Sequence, residues 1–129
     1  FSPTDVIVSG NKITLSDIGI FVTEATHVTV SSNAVVASLT NGIQVNDSNS
    51  ITISGNVSRA NTGAGVALAN CDESSVVGNI LKGNTGFGYS ADGNCDRIVR
   101  GGNIIRGNTA GQVSDSSTSG NSTATDIIA

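Results

Sequence analysis

Glycines recur at a constant interval along this chain, and that interval constrains the fold more than any other feature. Five of them are each 23 residues apart, namely Gly19, Gly42, Gly65, Gly88 and Gly111. Five asparagines follow the same rhythm, with steps of 22, 23, 23 and 24 residues: Asn11, Asn33, Asn56, Asn79 and Asn103. A repeat of this length is typical of solenoids, in which each unit stacks on its neighbours.

Aliphatic residues alternate with polar residues in short segments between the ladder positions. Val28 and Val30 precede Asn33, for example, and a second alternating pair, Ile43 and Val45, follows the next ladder glycine. Alternation over so few residues, bounded by Gly, Asn and Ser, indicates β-strands. Helices are disfavoured because Gly and β-branched residues interrupt every candidate window. The sequence therefore predicts three short strands in each 23-residue period.

Stacked periods explain why the glycines and asparagines repeat. Coils that lie about 4.8 Å apart complete their backbone hydrogen bonds and their core together. We expect the repeated residues to mark the corners of each coil. Glycine would supply positive φ without a Cβ clash, and asparagine tolerates the same conformation while its side-chain amide bonds to the next coil.

The pattern SGNxI…N…GIxV resembles the repeat of the right-handed parallel β-helix superfamily, which is pectate-lyase-like. That superfamily includes polysaccharide lyases, polygalacturonases, alginate epimerases and phage tailspikes. The resemblance covers roughly residues 5 to 115. It implies an all-β, single-stranded, right-handed parallel β-helix of about five coils with about 23 residues per coil. It implies no particular reaction, because the repeated residues form the scaffold.

The regular pattern ends near residue 115, where the polar segment SDSSTSGNSTATDIIA begins. We therefore predict a β-helix at residues 1–115 and a polar C-terminal tail, or a segment that docks on a partner, at residues 116–129. No segment predicts an amphipathic helix that would cap either end of the solenoid. Uncapped ends favour a larger parent protein, self-association, or both.

Composition and charge exclude several classes of partner. The net charge of −4 is unsuited to nonspecific nucleic-acid binding, which needs a basic surface. Aromatic residues make up only 3% of the chain, so there are few side chains on which single-stranded bases could stack. No apolar run approaches the length of a membrane span. We expect neither nucleic acid nor membrane insertion.

Two columns of residues follow the ladder asparagines. One residue past them lies an apolar column, Val57, Ile80 and Ile104, and two residues further on lies a basic column, Arg59, Lys82 and Arg106. An outward apolar column flanked by long charged stems is typical of a subunit interface. A shift of strand phase by one residue would instead place it in the core. The basic column suits an anionic glycan, a solvated face or ion pairs between subunits.

Cys71 and Cys95 each lie eight residues before a ladder asparagine, so we expect them to stack on neighbouring coils. Their expected Cα separation is compatible with a disulfide. A pair of buried free thiols, packed as small hydrophobic groups, is the other interpretation. Thiol catalysis is disfavoured because His27, the single histidine, lies at least two coils away.

Asp72 and Asp96 directly follow the two cysteines and are expected to stack as well. Stacked carboxylates repel each other unless a cation or a basic residue compensates. Arg97 and Arg100 are the expected basic partners. A calcium ion is the alternative, with Asp72 and Asp96 as weak candidate ligands, and no other cofactor is expected.

No catalytic residue is assigned. A glycoside hydrolase of this fold needs two or three carboxylates on one face, and a lyase or epimerase needs a base together with a charge neutraliser. His27 and Tyr89 fall on different coils and different faces. An enzyme is therefore not the favoured interpretation.

The resemblance to tailspikes, with a surface rich in Ser, Thr and Asn, favours a non-catalytic module of a viral or phage spike or fibre. This interpretation places the chain outside the cell or on the virion surface. It implies a homotrimer, within a larger parent protein, that attaches to polysaccharide of the host cell surface. The alternative is a fragment of a polysaccharide lyase, hydrolase or epimerase.

Overall fold

The computed structural model describes residues 2–118 and 122–129, and all 17 regular elements in this range are β-strands. A partial coil comes first, and five coils of three strands each follow it. In chain order the strands are β1 (Thr4–Ser9) and β2 (Lys12–Thr14); β3 (Ile20–Thr23), β4 (Thr26–Ser31) and β5 (Ala34–Val36) in coil one; β6 (Ile43–Asn49), β7 (Thr52–Ser54) and β8 (Val57–Arg59) in coil two; β9 (Val66–Asp72), β10 (Ser75–Val77) and β11 (Ile80–Lys82) in coil three; β12 (Phe87–Ala91), β13 (Val99–Gly101) and β14 (Ile104–Arg106) in coil four; and β15 (Gly111–Asp115), β16 (Ser122–Thr123) and β17 (Ile127–Ile128) in coil five.

Each strand pairs in parallel with the equivalent strand of the next coil, which gives the solenoid three faces. The first face is β3-β6-β9-β12-β15, the second is β1-β4-β7-β10-β13-β16, and the third is β2-β5-β8-β11-β14-β17. Partners are offset by one repeat, as for Ile80 with Val57 and with Ile104. The predicted fold class, an all-β parallel solenoid of about five turns with repeats of about 23 residues, is confirmed.

Aliphatic side chains from all three faces fill the interior. Val45 of the first face, Ile53 of the second and Leu81 of the third are at most 1% exposed. Tyr89 is the largest fully buried side chain. A core of thin aliphatic layers explains how the protein folds with so few aromatic residues, because each coil contributes only a few inward side chains.

The ladder asparagines stack inside one corner of the solenoid. The backbone N–H and the side-chain Nδ2 of Asn56 both donate to Oδ1 of Asn79, at 2.9 and 3.0 Å. The same pair of bonds joins Asn79 to Asn103, at 2.9 and 3.0 Å. Each buried amide therefore satisfies the backbone of its own corner and that of its neighbour, as buried polar groups require.

A second amide ladder occupies the corner that follows the third face, and the sequence interpretation missed it. Asn61 donates from its backbone N–H and from Nδ2 to Oδ1 of Asn84, at 3.1 and 2.8 Å. Asn84 donates in the same way to Asn108, at 3.0 and 2.9 Å. The signal was present in the sequence as the pair Asn-Thr, which recurs at residues 61, 84 and 108.

The reason predicted for the glycine ladder is wrong. Of its five members only Gly111 has a positive φ, at +140°. Space is the actual constraint, because a Cβ on Gly65 would lie 2.7 Å from the carbonyl oxygen of Gly88 and 2.9 Å from Asn84 Nδ2. Left-handed conformations occur instead just before the ladder asparagines, where Gly55 has φ +64° and four equivalent residues share the conformation: Gly10, Ser32, Gly78 and Gly102.

Strand pairing continues beyond residue 115. β16 pairs with β13, and β17 pairs with β14 through Ile104 with Ile127 and Ile105 with Ile128. The predicted boundary therefore falls inside coil five, and the described part of residues 116–129 contributes two of its three strands. Asp126 occupies the next position of the asparagine ladder, where its Oδ1 accepts hydrogen bonds of 2.9 Å from Asn103.

Candidate functional site

The apolar column lies on the outer surface of the third face. The central residue of each strand on this face points inward, as Ser58, Leu81 and Ile105 do, so the flanking residues point outward. The flanking residues of the apolar column are half-buried and in register across three coils: Val57, Ile80 and Ile104. The alternative that this column belongs to the core is therefore excluded.

The basic column lies at the other end of the same three strands. Arg59 pairs in register with Lys82, and Lys82 pairs with Arg106. Parallel pairing repeats their backbone positions at about 4.8 Å. Among the residues that the structure describes, salt bridges involve the basic residues His27, Arg97 and Arg100 and none of this column. Three positive charges thus stand side by side, and no carboxylate within the described part of the chain forms a salt bridge with them.

An open groove of about 560 Å³ borders the basic column. It is lined by Arg59, Ala60, Lys82, Gly83, Arg106, Gly107 and Ala129. The small residues in this set follow the strands at left-handed corners, with φ of +57° at Ala60 and +63° at Gly83. Apart from the three cations, the lining of the groove therefore consists of small residues. The groove is therefore accessible to an extended ligand that runs along the solenoid.

Cys71 and Cys95 stack on neighbouring coils as expected, and both are buried free thiols in this structure. The backbone N–H of Cys71 donates to Cys95 Sγ at 3.4 Å. The side-chain hydrogen bond with the Cys71 thiol, together with burial, raises the pKa of the Cys95 thiol above its ordinary value, although the backbone N–H of Cys71 acts in the opposite direction. A thiol held protonated in this way is a poor nucleophile, which agrees with a packing role.

Asp72 and Asp96 are adjacent across two coils, and Arg97 joins them. Its guanidinium lies 2.7 Å from Asp72 Oδ2 and 2.7 Å from Asp96 Oδ2, and it also reaches Glu73 Oε1 at 3.2 Å. The expected basic partner is thus present. Within residues 2–118 and 122–129, no group of three or more His, Cys, Asp or Glu side chains is arranged to hold a metal ion.

Arg100 does not join this cluster, which corrects the expectation that it would pair with Asp72 or Asp96. It occupies the inward position of its strand, in register with the core residue Val76. Its guanidinium contacts the carboxylate of Asp126 and lies 5.2 Å from the centroid of the Tyr89 ring. The sequence contained a signal for this placement, because Arg100 lies one repeat after Val76, which occupies the inward position in the preceding coil.

The residues weighed for catalysis do not converge. His27 is exposed, with Nδ1 3.9 Å from Asp5 Oδ1, whereas Tyr89 is buried in the core. A polar groove of about 400 Å³ on the first face has Asp92 as its one carboxylate among the described residues. Partial burial opposes ionisation there, but hydrogen bonds from the Asn70 backbone and the Cys95 thiol hold the pKa of Asp92 below its usual range.

Comparison with known proteins identifies the family of the chain. No curated protein and no solved structure shows a significant match to it. The described residues contain no helix that has the length and apolar character needed to cross a membrane. The family described as "Right handed beta helix region" matches residues 1–110, which is most of the chain and includes the strands of coils one to four. The chain therefore belongs to the right-handed β-helix family.

Proposed function

We propose that this chain is a structural and attachment module of a viral or phage spike or fibre, which binds acidic glycan of the host cell surface along the basic column. The observation that supports this function is the basic column itself. Arg59, Lys82 and Arg106 are stacked in register, lack salt-bridge partners among the described residues and border an open groove. The proposal places the module outside the cell or on the virion surface.

The charge distribution favours an anionic ligand over a neutral one. The chain has a net charge of −4, yet three of its six Lys and Arg residues lie in this one column. Clustered charge of one sign raises the local concentration of an oppositely charged ligand. Arginine also offers a planar fork of donors that matches carboxylate and sulfate groups in a bidentate manner.

A homotrimer would strengthen the attachment. The half-buried apolar column, Val57, Ile80 and Ile104, supplies a stripe that a neighbouring subunit would cover, and the basic column would then rim a groove between subunits. Exposed ion pairs are individually weak, at up to about 1 kcal/mol each. Three copies that engage one surface together would gain avidity without new contacts.

The basic column is tested by binding to an array of acidic oligosaccharides, with neutral oligosaccharides alongside. We expect Lys82→Ala to weaken binding about fivefold, because an exposed pair contributes up to about 1 kcal/mol. Charge reversal at Arg59, Lys82 and Arg106 together should abolish binding. Arg97→Ala is the matched control, since it removes an exposed arginine that three carboxylates already occupy. Equal losses in Arg97→Ala and Lys82→Ala would contradict the assignment.

Two further measurements separate this function from its alternatives. Sedimentation should reveal a trimer that Ile80→Glu converts to a monomer. A stable wild-type monomer would contradict the proposed subunit interface. Incubation with acidic polysaccharide should release no reducing sugar and no unsaturated uronate. Release of either product would establish the alternative, in which the chain is part of a polysaccharide lyase, hydrolase or epimerase.

A further inference from the structure

The groove beside the basic column offers a ligand positive charge and no neutral polar side chain. Its lining residues other than the three cations are all alanine or glycine: Ala60, Gly83, Gly107 and Ala129. Neither residue type has a side-chain donor or acceptor. Among the described residues that line this groove, none can therefore distinguish one sugar from another by hydrogen bonds from a neutral side chain to its hydroxyl groups.

The backbone N–H groups of the same corner are already used within the solenoid. The N–H of Ala60 donates to the Lys82 oxygen at 3.2 Å, and that of Gly83 donates to the Arg106 oxygen at 3.1 Å. The N–H of Gly107 donates in the same way to the Ala129 oxygen, at 3.2 Å. A negative group that enters the groove is therefore bound through the side chains of the cations.

The cations repeat at a constant interval along the solenoid. Arg59, Lys82 and Arg106 are paired in register on parallel strands, so their backbone positions are about 4.8 Å apart and the column spans about 10 Å. The column crosses the strands and follows the axis of the solenoid. A ligand that lies along the strands would meet one cation, whereas a ligand that lies along the axis would meet all three.

Neutral residues adjoin the column on both sides. Val36 is in register with Arg59 and occupies an outward, half-buried position of β5. Ala129 lines the groove beside Arg106. The run of positive charge therefore matches three successive negative groups, and a fourth group on either side would have no cation to meet.

We propose that the basic column selects its ligand by the spacing of negative charge. The ligand is a linear glycan that carries an acidic group on each of three successive sugars and lies parallel to the solenoid axis. An extended chain of six-membered sugar rings advances per sugar by a distance close to the separation of paired strands, and the long Arg and Lys side chains take up the difference. This inference rests on the proposed function, to which it adds a charge interval and a direction.

Synthetic glucose oligosaccharides with sulfates at defined positions test the interval. A trisaccharide sulfated on every sugar should bind about fivefold more tightly than the disaccharide, because each exposed pair contributes up to about 1 kcal/mol, and the tetrasaccharide should gain nothing further. A pentasaccharide with three sulfates on alternate sugars should bind about fivefold more weakly than the trisaccharide, because its groups would reach Arg59 and Arg106 without meeting Lys82. Replacing glucose by mannose should leave these differences unchanged.

A fourth cation should lengthen the preferred ligand. Val36→Arg extends the column by one coil, in register with Arg59. We expect the fully sulfated tetrasaccharide to bind this variant up to about fivefold more tightly than wild type, with no change for the trisaccharide. Thr29→Arg is the matched control, because it adds the same charge to a half-buried position on the second face of the same coil. Circular dichroism verifies that both variants retain their strands.

The outcomes separate this inference from the function on which it rests. Equal affinity for the two patterns of three sulfates, or an equal gain for the tetrasaccharide in Val36→Arg and Thr29→Arg, would overturn the selection by spacing and leave attachment to acidic glycan standing. A dependence on glucose or mannose that exceeds the dependence on sulfate spacing would also overturn it. If no sulfated or carboxylated probe binds the wild-type chain, the proposed function itself is refuted.

Discussion

Removing one interior asparagine from the ladder should destabilise the solenoid far more than removing the terminal one. In Asn79→Ala the backbone N–H of Asn56 loses its acceptor, Oδ1 of residue 79, and no other described acceptor replaces it. The substitution also removes the bonds from Asn79 Nδ2 to the Ile53 oxygen at 2.9 Å, to the Val77 oxygen at 3.2 Å and to Asn103 Oδ1 at 3.0 Å.

The magnitude follows from these contacts. A buried donor left without a partner costs about 1–3 kcal/mol, and each lost hydrogen bond costs about 0.5–1.5 kcal/mol. Asn56 Nδ2 keeps its bonds to the Val30 and Ser54 oxygens, so only part of its bonding is lost. The expected loss for Asn79→Ala is about 3–5 kcal/mol, a large share of the roughly 5–15 kcal/mol that stabilises a typical domain.

Asn11→Ala is the matched control. It removes the bonds from Asn11 Nδ2 to the Ser9 oxygen and to Asn33 Oδ1, but no described donor depends on the oxygen of Asn11. Because this amide is exposed, we expect a loss of less than about 1 kcal/mol. Urea unfolding of both variants measures the difference in their free energies of unfolding, provided that the slope of this free energy against urea concentration is the same in both. Equal losses in the two variants would refute the account of the ladder as a chain of mutually satisfied amides.

Three further predictions concern glycine, tyrosine and cysteine. Gly65→Ala should lower the melting temperature more than Gly78→Ala, because Gly65 has no room for a Cβ. Gly78 is surrounded by open space, and only its φ of +65° opposes alanine, at a cost of about 1–2 kcal/mol. A larger loss in Gly78→Ala would contradict the steric explanation. Burial, assisted by the negative charge of Asp115, raises the pKa of Tyr89 well above its usual value. The contribution of Tyr89 to stability should therefore be constant below about pH 10, where the unfolded phenol titrates, and fall above it. Phenolate absorbance from the folded chain near that pH would contradict this. Cys71 and Cys95 should react with Ellman's reagent only in denaturant, whereas a denatured chain without reactive thiols would reveal a disulfide.

The repeat made most of the fold predictable. Once Gly42 and Gly65, or Asn56 and Asn79, are placed in register, the pairing of every strand in those coils follows, because parallel stacking aligns equal phases. The same reasoning located the basic column and the stacked cysteines. It failed where the pattern itself changed, since the unusual residues at the C-terminal end were judged by their polarity rather than by their phase.

The sequence also did not determine the backbone conformation at the corners of the coils. Glycine is compatible with positive φ and with close packing, and the letter alone does not distinguish these reasons. Gly65 is required because a Cβ would meet the next coil, whereas Gly55 takes the left-handed conformation in open surroundings. Only the positions of the neighbouring atoms decide which constraint applies.

The amino-acid sequence by itself determined the winding of this protein, because a constant repeat length brings like residues together in parallel strands whatever else the chain contains. The tertiary structure alone decided which way the charged side chains point. Arg59 and Arg100 are both arginines on short strands, yet one lines an open groove and the other is buried beside Asp126. The difference arises because successive side chains of a strand face opposite sides, so a single step in phase exchanges solvent for core.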